Sequence, residues 1–148
     1  MDGATNGRTF PHTGSSLRVL VVEDNPDAAD LLAIVVELAG HETRVAYDGP
    51  PALAIAETFE PEAVLLDLGL PAMDGYEVAR RLRQRPGTRD ALLAAVTAWG
   101  QPEDRRRAVE AGFDHHLVKP VPPEQILEVL ERARTRRLRM PSSGPTDL

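Results

Sequence analysis

The chain has 148 residues, 42% of them hydrophobic, with 13 prolines, 11 glycines and no cysteine. That length holds one domain with a proper core, and the missing cysteines exclude a disulfide framework and cysteine-ligated zinc. The formal net charge of −6 is uneven, with a net −10 over residues 17–131, +4 over residues 132–148 and zero over residues 1–16. An acidic body of that kind is a poor non-specific binder of nucleic acid. The longest apolar runs, LLAIVV and ALLAAV, are too short to cross a bilayer, and residues 1–16 lack the apolar stretch of a signal peptide. A cytoplasmic protein is expected. Among the basic residues 16 are Arg and only one is Lys, Lys119.

Residues 1–16 are rich in Gly, Ser and Thr and read as a disordered lead-in. LRVLVV (17–22) is a first strand, ending in Glu23-Asp24-Asn25-Pro26, where Asn25 can cap a helix and Pro26 fits its first position. Leu31, Leu32, Val35, Val36 and Ala39 follow at helical spacing, and Gly40 closes the helix. ETRVAY (42–47) is a second strand ending in Asp48-Gly49; a Pro-started helix follows to Phe59, and Pro61 stops it. AVLLD (63–67) is a buried-type strand, followed by the loop LGLPAMDG and a helix from about Gly75 to Arg85. ALLAAV (91–96) is a fourth strand, a helix spans Pro102 to Ala111 before Gly112, and HHLVK (115–119) is a fifth strand. Pro122 starts a last helix reaching about Met140, with Ile126, Leu130 and Ala133 as its core-facing stripe. Five strands alternate with five helices, and the strands read as near-continuous apolar runs rather than alternating ones. This predicts an α/β doubly wound parallel sheet covered on both faces.

Unusual polar residues fall at the carboxyl ends of the predicted strands: Glu23 and Asp24, Asp67, Thr97 and Lys119. In open parallel sheets that edge binds ligands, where strand order reverses. With the flavodoxin-like order 2-1-3-4-5 the reversal brings Glu23, Asp24 and Asp67 together. Three carboxylates in one crevice repel one another and need a cation, and a few hard oxygens suit Mg²⁺ keeping several waters. An Asp beside Mg²⁺, an ammonium and a hydroxyl is equipped for in-line phosphoryl transfer onto an Asp oxygen.

The stretches VLVVEDNPD, VLLDLGLPAMDGYEVARRLR, AVTAWG and GFDHHLVKPV resemble a response-regulator receiver domain, the phosphoacceptor half of two-component signalling. The resemblance implies that Asp67 is the phosphoacceptor. It implies that Asp24, Asp67 and the Gly69 backbone carbonyl hold Mg²⁺, with Glu23 acting mostly through water. Thr97 would donate its hydroxyl to the phosphoryl group, Ala98 beside it is small as the site requires, and Lys119 would pair with a phosphoryl oxygen. The Lys119–Pro120 bond resembles one that is cis in the family. Where receivers commonly carry a Tyr or Phe switch residue, this chain has His116, as in a subset attached to hybrid histidine kinases. A half-buried neutral imidazole and a pH-sensitive relay are both open there. Gly69 and Trp99, each two residues past a site residue, are candidates for setting the lifetime of the aspartyl phosphate; Trp99 equally suits partner docking.

Other phosphate chemistries fit less well. A haloacid-dehalogenase-type phosphatase needs a second Asp where Gly69 stands, no P-loop is present, and Glu23-Asp24 would repel a flavin phosphate. Glu77 and Glu103 lie four residues before Arg81 and Arg107, which predicts solvated helix pairs. Arg132, Arg134, Arg136, Arg137 and Arg139 extend the last helix past the expected boundary at 131. They read as a basic helix end, a docking segment for an acidic partner or, more weakly, a nucleic-acid contact. The expectation is a stand-alone receiver over residues 17–131, with a basic, finally disordered tail over 132–148. It would be a monomer or weak dimer, not an enzyme with its own output domain. A histidine kinase or phosphotransfer protein would phosphorylate it, and it would signal through the fourth helix, fifth strand and fifth helix. A phosphorylation-independent interaction module and a fragment of a hybrid kinase are the alternatives.

Overall fold

The structure is a computed structural model and describes residues 16–98 and 100–139. The expectations for residues 1–15, for Trp99 and for residues 140–148 lie outside the described residues. Five strands, β1 (Arg18–Val22), β2 (Glu42–Ala46), β3 (Ala63–Asp67), β4 (Leu92–Thr97) and β5 (His115–Val118), form one parallel sheet in the order β2-β1-β3-β4-β5. Helices α1 (Pro26–Leu38), α2 (Gly49–Phe59), α3 (Gly75–Arg83) and α4 (Pro102–Ala111) make the four crossovers, and α5 (Pro123–Arg139) follows the last strand. The doubly wound order is the one expected from the sequence.

The central strands are apolar throughout because both of their faces are covered. One face carries Leu20, Val22, Val64, Leu66, Leu93 and Ala95 against α2, α3 and α4. The other packs Val19, Val21, Leu65, Ala94 and Val96 against Val36 of α1 and Ile126, Val129 and Leu130 of α5. Strand β2, at one edge, departs from the continuous runs expected: Glu42 and Arg44 are exposed, while Thr43 and Val45 are half-buried and Ala46 is buried.

Local chemistry sets the boundaries. Asn25 Oδ1 accepts from the Ala28 N–H at 3.0 Å and Pro26 occupies the first turn, so α1 starts where the sequence predicts. Asp74 caps α3 by accepting from the Glu77 N–H at 2.9 Å. That helix ends at Arg83, two residues early, because the Gln84 and Arg85 N–H groups bond back into a tight turn and the Thr88 hydroxyl takes the Leu82 carbonyl at 2.6 Å. Strand β4 runs one residue later than expected and therefore includes Thr97, which lies opposite Val118. Lys119 falls just past β5, at the Lys119–Pro120 cis bond.

The stripe predicted for α1 is corrected in one place. Ala29, Ala33 and Val36 are buried, Leu32 and Val35 are half-buried, and Leu31 is 64% exposed. The inner face of α1 is thus Ala29, Ala33 and Val36, while Leu31 and Ile34 lie exposed.

Arg107, expected to pair with Glu103, instead places its guanidinium over the Tyr76 ring, 4.1 Å from the centroid. The arginines at the end of α5 are divided in use. Arg136 binds Asp114 at 2.9 Å, and Arg137 binds Glu62 at 3.0 Å and the Ser16 carbonyl at 3.0 Å. Arg132 and Arg134 pair within the helix, with Glu128 and Glu131. Four guanidiniums of the segment are thus engaged, and α5 continues in order past residue 131.

Candidate functional site

Each predicted polar residue stands at the carboxyl edge of the sheet. Glu23 and Asp24 follow β1, Asp67 ends β3, Thr97 ends β4 and Lys119 follows β5. Strands β1 and β3 are neighbours, and their departing helices lie on opposite faces, which opens the crevice. Carboxylate oxygens of Glu23, Asp24 and Asp67 lie within 4.8 Å of one another. The Lys119 Nζ closes the cluster, 3.0 Å from Glu23 Oε1 and 3.4 Å from Asp67 Oδ2.

The three acids are not equivalent. Glu23 is only 1% exposed; it takes Lys119 on one oxygen and the Asn25 N–H on the other, at 3.1 Å. Burial pushes its carboxyl above the usual range, against the pull of Lys119 and the Asn25 amide. Asp67 is buried, and its Oδ1 accepts from the Gly69 N–H at 3.0 Å. Asp24 is exposed. For Lys119 burial alone would lower the ammonium, but the hydrogen bond and charge of Glu23 and the charge of Asp67 outweigh it and raise it. The lysine is thus held charged.

Backbone contacts position these groups. The Lys119 N–H donates to the Thr97 carbonyl at 2.8 Å, tying the ends of β4 and β5, and Thr97 is fully buried. The Leu68 N–H reaches the Val96 carbonyl at 3.3 Å, which holds the residue after Asp67 against β4. His116 lies opposite Ala95 and is half-buried, with both ring nitrogens shielded from solvent. Ala98 is exposed just beyond Thr97. Trp99 is outside the described residues.

Two positioning residues escape a reading of polar types alone. A Cβ on Gly75 would stand 2.7 Å from the Asp67 carbonyl oxygen, so the loop returns onto the backbone of Asp67 only because that position is glycine. Asp48 Oδ1 accepts from the Gly49 N–H at 2.7 Å and from the Ala72 N–H at 3.2 Å, pinning the same loop to the start of α2. The Asp-Gly pairs at 48–49 and 74–75 were the available signal, since both are turn dipeptides.

A crevice of three oxygen-bearing side chains with one solvent-facing member fits a hard cation that keeps part of its water shell. With the ammonium beside it, the site can hold a metal and a phosphoryl oxygen next to the Asp67 carboxylate. The sequence profile of the response regulator receiver domain matches residues 19–131. The chain belongs to that family. It is 35% identical over 127 residues to the DNA-binding dual master transcriptional regulator RpaA of Synechocystis sp., covering 86% of this chain and 53% of that one. The receiver therefore spans about half the length of that relative. A CheY-like receiver domain from Methanospirillum hungatei superposes with a TM-score of 0.77 at 28% identity, over 85% of this receiver and 100% of that chain. The receiver domain of the Pseudomonas aeruginosa sensor histidine kinase PA1611, solved with magnesium in its active-site cleft, superposes with a TM-score of 0.75 at 29% identity, over 81% and 98%. No helix among the described residues is long and apolar enough to cross a membrane.

Proposed function

We propose that this receiver is a cytoplasmic phosphoacceptor: Asp67 takes a phosphoryl group from a histidine kinase or a histidine phosphotransfer protein, and the signal leaves by protein–protein contact. One observation carries the reading, the meeting of the Asp67 carboxylate with Glu23, Asp24 and the Lys119 ammonium in one crevice. A phosphoryl group entering there meets Asp67 as the nucleophile. A P–O bond forms to an Asp67 oxygen while the P–N bond to the donor imidazole breaks, and the ring nitrogen keeps the electron pair.

Lys119, already 3.4 Å from Asp67 Oδ2, turns its ammonium to pair with a phosphoryl oxygen as Asp67 becomes an acyl phosphate. Thr97 donates its hydroxyl to a second oxygen, and exposed Ala98 leaves room for the group. Asp24 and Asp67, with the Gly69 carbonyl, would hold Mg²⁺, and buried Glu23 would act through water. The ion supplies positive charge to the oxygens of the transferring group. Gly69 offers no side chain to block an attacking water, and with Trp99 it sets the lifetime of the phosphorylated state. His116 takes the part of the switch residue, and the output face is that of α4, β5 and α5.

The phosphodonor docks through an apolar helix face. A groove of about 450 Å³ between α1 and α5 has Leu31, Leu32 and Val35 on one wall and Val121, Pro123 and Ile126 on the other. Glu23 and Lys119 also line it, so an occupant is held beside Asp67. The test is incubation with acetyl phosphate and Mg²⁺, followed by intact mass measurement. One phosphoryl adduct is expected, absent in Asp67→Ala. No Asp67-dependent adduct would instead favour a phosphorylation-independent interaction module.

A further inference from the structure

Helix α4 is anchored unlike the other helices. Among the described residues its buried side chains are two alanines, Ala108 and Ala111. The buried set of α1 adds Val36 to two alanines, that of α2 includes Leu53 and Phe59, that of α3 includes Tyr76, Val78 and Leu82, and that of α5 includes Ile126, Val129 and Leu130. Two methyl groups remove little apolar surface from water, so packing alone holds α4 weakly.

Its C-terminal end has polar restraints. Gly112 closes the helix at φ +106°, and Arg83 donates to the Gly112 carbonyl through Nε at 3.0 Å and Nη2 at 2.7 Å. Towards the N-terminus Arg105 donates to the Gly100 carbonyl at 3.4 Å, a long bond on an exposed loop. The middle of the helix is held by a different contact, the Arg107 guanidinium over the Tyr76 ring at 4.1 Å. Tyr76 is itself buried and braced edge-on against Phe113, ring centroids 6.5 Å apart. It follows Gly75, the residue packed on the Asp67 carbonyl. The cation thus seats α4 on the same turn that borders the phosphoacceptor backbone.

We propose that Arg107 is a positioning residue for α4: its stacking on Tyr76 pegs a helix with almost no core of its own, and loss of the peg frees α4 to swing about the end fixed at Gly112. Its part in signalling rests on the phosphoacceptor reading above, whereas the peg itself is a property of the unphosphorylated chain. An exposed planar cation on an aromatic face needs both the charge and the plane, so neither a neutral side chain nor an ammonium replaces it fully.

The experiment is amide hydrogen exchange on the full unphosphorylated chain. Arg107→Gln is expected to speed exchange in α4 roughly two- to five-fold, leaving α1 and α5 as in wild type. Arg107→Lys should fall between the two, and Tyr76→Phe, which keeps the ring, should match wild type. In a Tyr76→Leu background, Arg107→Gln should add almost nothing, which separates the peg from a general loss of stability. Unchanged α4 exchange in Arg107→Gln would overturn the proposal, and so would faster exchange spread evenly over all helices. Failure of acetyl phosphate to label Asp67 would remove the signalling role alone, since these measurements involve no phosphoryl group.

Discussion

The two edges of the sheet carry similar residues in opposite arrangements. At the carboxyl edge three carboxylates meet one ammonium, and the crevice keeps an excess of negative charge. At the amino edge the acids are outnumbered. Asp114 receives Arg83 and Arg136, each at 2.9 Å, together with the Leu93 N–H at 2.9 Å. Glu62 receives Arg137 at 3.0 Å and the Arg18 N–H at 2.9 Å. Arg83 and Arg136 also donate to the Ala91 carbonyl, at 2.6 and 3.1 Å. One edge is compensated and stitches α3, β4, β5 and α5 together; the other leaves charge that only a bound cation or a changed covalent state relieves. The same side-chain types are structural at one end of the strands and reactive at the other, and the balance of partners makes the difference.

The comparison can be broken by removing one carboxylate from each edge. Asp114→Ala should destabilise the fold by ~1–3 kcal/mol in urea titrations, because two guanidiniums and the part-buried Leu93 N–H lose one shared acceptor at once. Asp24→Asn should do the reverse without divalent ions and stabilise by roughly 1 kcal/mol, since it relieves repulsion from two acids a few ångströms away. Wild type should also gain stability on adding Mg²⁺, by about 2–3 kcal/mol at a hundredfold excess over the dissociation constant, and Asp24→Asn should lose most of that gain. A destabilised Asp24→Asn in metal-free buffer would remove the distinction between the edges.

Smaller effects sharpen the contrast. Arg137→Ala should cost about 0.5–1 kcal/mol, because its pair with Glu62 is only part-buried. For Asp114 burial alone would raise the carboxyl, but the Arg136 bond, the Leu93 amide and the Arg83 charge hold it below its usual value. A folded-state value below the unfolded one contributes stability above the unfolded value near pH 4, and loses it as pH falls through the folded value. The stability gap between wild type and Asp114→Asn should therefore close on acidification below about pH 4. Beside it, burial lowers His115, aided by the Arg132 and Arg136 charges. Its unfolded form takes up a proton first, so stability should decline as pH drops below about 6.5, and His115→Gln should flatten that slope.

Much of this was legible in the residues. Apolar runs set the strands, while Asn25, Pro26 and Gly112 mark helix ends by local chemistry that needs no distant partner. The candidate site was readable because parallel topology delivers every strand end to one edge, so Glu23, Asp24, Asp67, Thr97 and Lys119 could be grouped before any distance was known. Less legible were contacts whose partners are remote in sequence. Arg107 has a suitable Glu103 one turn away, yet it sits on Tyr76 of another helix. Arg136 and Arg137 resemble a loose basic end until α5 brings them to Asp114 and Glu62. Leu31 shares the spacing of core residues, but small alanines took the inner face of α1.

By itself the sequence determined the order of elements, the parallel sheet and the identity of the acids and the single lysine at the reactive edge. Those follow from periodicity, capping and the direction of the strands, all of which act over a few residues or over the topology as a whole. The tertiary structure alone decided which charges are satisfied. Among the basic residues described, Lys119 is the one held by Glu23 and Asp67 in the acidic crevice, while arginines close the opposite edge. A charge interacts with whatever the fold brings within a few ångströms, and sequence spacing does not specify that distance.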